Sequence, residues 1–211
     1  MFIKHKKTNL CRPETTKLII EYQIQSLLLR FKINKQRLLY LAFGAVAFLI
    51  AYYAGAAFPM RKEEAGMLRR EFSRQIEGID QNGIFLNNMR IALAMFIPAA
   101  GAAFGAFSGF VTGSIFSALT SSSPTLNEVP PLIILITPFG IMEVFVYALA
   151  MSRSGMLIYY LLKRRSWREY IIPTLIELSI ATVVLFAAAV IEWQMIEQLG
   201  GLGASIALEP V

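Results

Sequence analysis

Four ionisable residues interrupt apolar sequence in this chain and could do chemistry there: Glu143, Arg153, Glu177 and Glu192. A charged group near the centre of a bilayer costs roughly 2.5–3.5 kcal/mol on insertion scales. A carboxylate at that depth is therefore protonated, paired or turned toward water. Glu143, shortly after Pro138, admits two readings. One is a proton- or cation-handling site. The other is a structural hydrogen bond, to backbone freed at Pro138 or to Asn87 or Asn88, and a lone carboxylate favours it. Glu177 falls in the first two turns of its apolar stretch, where Arg153 or Arg168 can pair with it. Glu192 stands beside Trp193, which puts it at headgroup level. Arg153 lies between Ser152 and Ser154, a polar bend from which its long side chain can snorkel.

Little else could react. Cys11 and His5 are each the only residue of their type, which excludes an internal disulfide, a thiolate cluster and a multi-histidine centre. No nucleophile elbow, phosphate loop, zinc-protease pattern or CxxC pair is present. The expectation is a non-enzyme without cofactor or metal. The net charge of +6 comes from basic residues flanking apolar stretches, where they set orientation or meet anionic headgroups. Nucleic acid is not an expected partner, and no small-molecule substrate is identifiable.

The elements that must position these groups are membrane helices. A hydrophobic fraction of 56% excludes an ordinary soluble domain. Leu38–Phe58, Ile91–Leu119 and Tyr170–Trp193 each reach the about 20 residues that cross a bilayer core, and Pro131–Leu162 makes a fourth, interrupted at Pro138, Gly140 and Gly155. The fold class is all-α and polytopic, with four to five membrane segments, a broken or re-entrant central one and amphipathic surface helices. Residues 1–37 form a basic leader with an interfacial helix over Pro13–Phe31. Residues 38–193 form one membrane domain, and 194–211 a Gly-rich tail.

Several details sharpen that outline. Tyr40 and Tyr52/Tyr53 mark the two rims of the first span. Met60–Phe85 is apolar at Leu68, Phe72, Ile76 and Ile79 and charged elsewhere, an amphipathic helix that Asn82-Gly83 ends. Gly101, Gly105, Gly109 and Gly113 recur every four residues, which lays a side-chain-free strip along one helix face where another helix can approach closely. The spacing predicts one continuous helix over 91–119, kinked at Pro98. It does not say whether the partner helix belongs to this chain.

Charge sets the expected topology. With four simple spans, Lys and Arg divide almost evenly between the two sides, against the positive-inside bias. If Pro131–Leu162 turns back, near Met151–Gly155 or at Pro138–Gly140, the division becomes fourteen against six, with the amino terminus cytoplasmic in the cell membrane.

Three motifs then point to a family. FLNNMRIAL (Phe85–Leu93) precedes the glycine-rich span, PFGIME (Pro138–Glu143) follows it, and AAAVIE (Ala187–Glu192) closes the last one. In this order they resemble the stage II sporulation protein M (SpoIIM) family of integral membrane proteins, over about Leu38–Trp193. The family usually carries His where this chain has Phe139, and an Asn-Gly pair where it has Ser108-Gly109. The resemblance implies a helical membrane subunit that works with other membrane proteins or with copies of itself. Two alternatives stand beside it: a small transporter or channel component with a polar site at Glu143, and an accessory subunit of a larger membrane enzyme.

Overall fold

The computed structural model describes residues 35–76, 78–121, 130–163 and 167–207. The expected leader helix over Pro13–Phe31 lies outside them. The chain divides into Met1–Lys35 and Gln36–Val211, and all packing below is within the second unit. The described residues form six α-helices: α1 (Lys35–Ala56), α2 (Lys62–Ile76), α3 (Gln81–Met95), α4 (Gly101–Ser121), α5 (Pro138–Leu162) and α6 (Trp167–Ala207). A short 3₁₀ helix, Pro131–Ile136, leads into α5. No strand occurs among the described residues. Four helices (α1, α4, α5 and α6) are long and apolar enough to cross a membrane.

The stretch expected as one helix over 91–119 is two. α3 ends at Met95 and α4 starts at Gly101, running the other way. Pro98 has no N–H to offer the Ala94 carbonyl, so Ile97 N–H donates there instead, at 3.2 Å. Ala99 takes a left-handed φ of 64°, and Gly101 N–H closes the reversal on the Ile97 carbonyl at 2.9 Å. Gly101 must be glycine here, because a Cβ would strike the Met95 carbonyl oxygen. The Ser154 hydroxyl of α5 also donates to the Ile97 carbonyl, at 2.7 Å. That bond fixes the depth of the turn. It lies level with Ser154, eight residues and therefore about 12 Å of helical rise short of the end of α5 at Leu162.

The central run breaks, and the break is at its start. Thr137 ends the 3₁₀ helix and caps α5: its hydroxyl donates to the Ile134 carbonyl (2.6 Å) and accepts from Gly140 N–H (3.1 Å). Pro138 then occupies the first helical position, where its missing N–H costs nothing. Gly140 lets the 3₁₀ carbonyl of Ile134 pass where a Cβ would sit. Beyond it, α5 continues unbroken through Met151–Gly155, so neither Arg153 nor Gly155 marks a bend. The Ser152 hydroxyl donates to the Leu149 carbonyl (2.7 Å), and Arg153 is matched by a carboxylate from α6.

These contacts place the helix ends. Arg37, near the start of α1, touches Ser152 and Met156 late in α5. Tyr52, near the end of α1, donates its hydroxyl to the Pro131 carbonyl at 2.6 Å. The start of α1 and the end of α5 thus share one face, the near face. The α3–α4 hairpin enters and leaves from the far face. The chain reverses within 81–121, between α3 and α4, and α5 runs through 138–162 without turning back.

Four smaller expectations change as well. Tyr52 is fully buried, leaving Tyr53 as the exposed tyrosine at that end of α1. The surface helix stops at Ile76, where Gly78 follows with φ 69°. Asn82-Gly83 lies inside the first turn of α3, where the Asp80 carboxylate caps it by accepting from Gly83 N–H at 2.8 Å. Finally, the last helix runs past Trp193 to Ala207, which makes much of the expected Gly-rich tail helical.

Candidate functional site

The glycine face is consumed within the chain. A Cβ on Gly113 would strike the Tyr52 carbonyl of α1, and one on Gly109 would lie 2.9 Å from the Phe48 carbonyl. Gly55 of α1 answers from the opposite side, against the Phe110 carbonyl of α4. Gly105 instead admits Met151 of α5, whose Cγ lies 2.5 Å from where its Cβ would be. Four glycines thus serve three neighbours, because the strip drifts around α4 as it rises. Gly44 extends the pattern: its missing Cβ would come within 2.6 Å of the Ala148 carbonyl on α5. Backbones this close bring the polar residues of α1, α5 and α6 into two clusters.

The first cluster lies on the near-face side. Glu177 of α6 receives Arg153 of α5 through Nε on Oε2 (2.8 Å) and through Nη2 on Oε1. Arg37 of α1 adds an ion pair from Nη2 to the same Oε2. Its Nη1 donates to the Ser152 hydroxyl and to Met156 Sδ, each at 3.0 Å. The Arg153 and Glu177 side chains are 4% exposed. The Arg153 guanidinium also stacks 5.9 Å from the centroid of Tyr170. Of the two arginines offered by the sequence, Arg153 is the one seen to pair with Glu177; the side chain of Arg168 lies outside the described residues. Arg37 was missed because it stands at the edge of the first apolar run and reads as a boundary charge. Tyr170 was missed for the same reason.

The second cluster lies toward the far face. Asn88 of α3, itself buried, donates from Nδ2 to Glu143 Oε1 of α5 at 2.5 Å. Asn87 points outward and takes no part. Glu192 of α6 is half-buried. Tyr147, one turn on from Glu143, packs its ring on Phe48 at 5.4 Å. Among the described residues no group of three or more His, Cys, Asp or Glu side chains could hold a metal ion.

A bundle of apolar helices with its charges turned inward defines a polytopic integral membrane protein. Comparison with known families is specific: the family model for Stage II sporulation protein M (SpoIIM) matches residues 38–193. The chain belongs to that family. No curated protein and no solved structure matches it.

Proposed function

We propose that this protein is a non-enzymatic subunit of a multi-protein complex in the cell membrane, with the start of α1 on the cytoplasmic side. The observation that carries the reading is how the buried charges are spent. Arg153, Glu177 and Arg37 bind one another across three helices, which registers the bundle and leaves Glu177 no free oxygen for a reaction. A glycine-locked bundle of this size suits a rigid part in an assembly better than an autonomous pathway. Co-purification in a mild detergent tests this. Defined membrane partners, or a stable oligomer of the chain, should survive in the Glu143→Gln variant. If Glu143→Gln abolished cellular function with assembly and expression intact, the subunit reading would be wrong.

One observation favours a second reading. Glu143, a carboxylate within an apolar helix and hydrogen-bonded to Asn88, is the type of acidic site at which a transporter or channel component handles a cation or proton. Proteoliposomes should then show a pH- or cation-dependent flux that Glu143→Gln removes. Absence of flux across several ions would eliminate this alternative.

A further inference from the structure

The outer face of α3 carries a charge that no described residue matches. Arg90 is exposed, and so is Asn87 one turn before it. Among the described residues neither side chain makes a hydrogen bond or an ion pair. Both lie deep. Phe85 of α3 meets the Phe186 ring of α6 at 5.7 Å, and Met89 Sδ lies 3.9 Å from the Thr182 hydroxyl. Thr182 stands twelve residues after Tyr170 and sixteen before Gln198, the limits of the apolar stretch of α6. Arg90, next to Met89, is therefore near mid-depth. Around it Leu86, Leu93 and Ile97 are 49%, 44% and 52% exposed. Positions 86, 90, 93 and 97 follow the four-three-four spacing with which one helix seats against another. An unpaired charge on such a face is costly in lipid. The face ends on the Ile97–Ala100 turn, which is also exposed. Its bond to Ser154 holds it below the end of α5, and irregular backbone at membrane depth is tolerated only against protein or water.

We infer that this face, from Leu86 to the Ile97–Ala100 turn, docks a transmembrane helix of a different protein that sets an Asp or Glu against Arg90 and Asn87. The inference rests on the subunit reading above and names the surface by which the subunit is held. A guanidinium fork beside an amide donor matches a carboxylate. A second copy of this chain does not supply one. Copies in one membrane share orientation and depth, and the acids of the four apolar helices are spent or lie elsewhere. Glu143 accepts from Asn88, and Glu177 is taken by Arg153 and Arg37. Glu169 stands thirteen residues before Thr182, and Glu192 and Glu197 ten and fifteen after it, which is about 15 Å of helical rise or more. Asp80 caps α3 itself. The remaining described acids belong to α2, where seven of fifteen residues are charged, too many for that depth.

The test uses the full chain in its native membranes, with photoreactive benzoylphenylalanine at position 86 or 93. Position 183 of α6 is the reference, since Val183 is 70% exposed. Positions 86 and 93 should crosslink to one transmembrane segment of another protein that carries an acidic residue, and 183 should not. Arg90→Leu should lower recovery of that partner about tenfold or more while leaving the melting temperature of the isolated chain unchanged. Arg90→Glu should abolish recovery, and changing the partner's acid to Arg should restore it. Crosslinks confined to lipid, to a second copy or to this chain's own leader overturn the inference. So does a partner that lacks the acid or is held equally well by Arg90→Leu. Where a partner still co-purifies in those cases, the subunit reading stands and only this surface is wrong; where neither partner nor oligomer is found, both fail.

Discussion

The two polar clusters of this bundle use opposite strategies for keeping charge inside apolar surroundings. Near the turn of the hairpin, Arg37, Glu177 and Arg153 form an ionic network across three helices, almost out of contact with solvent. About ten residues earlier in α5, Glu143 relies on one amide hydrogen bond from Asn88 and remains half-buried. In the first cluster every side chain constrains the others, so it fixes the register of α1, α5 and α6. The second is looser and could change protonation or partner without disturbing the helices. Structure is stored in the cationic cluster, and any chemistry must be sought in the acidic one.

The largest expected effect comes from removing the shared anion. Glu177→Gln would leave two guanidinium groups in a low-dielectric site facing a neutral amide. Breaking a buried ion pair this way costs about 3–5 kcal/mol, and thermal unfolding in detergent should show it as a drop of many degrees or as loss of a monodisperse species. A shift as small as that of a surface substitution would mean that the network does not hold the helices.

Next come the glycines, which separate backbone contact from mere glycine content. Gly113→Ala drives a methyl into the Tyr52 carbonyl, and overpacking of this kind costs about 1–3 kcal/mol. Gly155 has nothing within 4 Å of its missing Cβ and sits inside α5. Gly155→Ala should therefore be neutral or stabilising by up to about 1 kcal/mol. Destabilisation by Gly155→Ala would show that α5 does bend there, as the sequence suggests.

In the acidic cluster the effects are smaller and asymmetric. Asn88→Ala leaves Glu143 without its donor and should cost about 1–3 kcal/mol. Glu143→Gln preserves an acceptor for Asn88 and should change stability by under about 1 kcal/mol. The order of these two melting temperatures is the measurement. If Glu143→Gln were the more damaging, the charged carboxylate itself would be structural, and the contrast between the clusters would disappear.

The contrast also explains what the sequence made legible. Helices, their number and the family motifs were readable because apolar length and small-residue spacing are local signals. The pairings Arg153–Glu177 and Asn88–Glu143 were readable as options because a buried charge demands a partner. Which segment turns back was not readable. Pro98 and Pro138 each break an apolar run, and charge counting gives the same fourteen-to-six division whichever one reverses the chain. The decision lies in long-range contacts, Ser154 to the Ile97 carbonyl and Gly101 against Met95. Arg37 looked peripheral for a related reason: position along a helix does not show which way a side chain faces.

The smallest effect lies outside both clusters and tests whether the hairpin's entry is set locally. Asp80 caps α3 from an exposed position, and the Gly83 N–H, the main cause, holds its carboxyl below the ordinary aspartate value. A depressed folded value means that the cap's contribution is fully present above the ordinary aspartate pKa of about 3.9. It is lost as pH falls through the lower folded value. Hydrogen exchange at the Gly83 and Ile84 amides should therefore quicken in acid relative to the rest of α3. Asp80→Asn retains an N-cap acceptor and has no proton to gain, so it should abolish that pH dependence while keeping most of the protection. If the dependence persisted in Asp80→Asn, the Asp80 carboxylate would not be its source and the cap would not set the hairpin's entry.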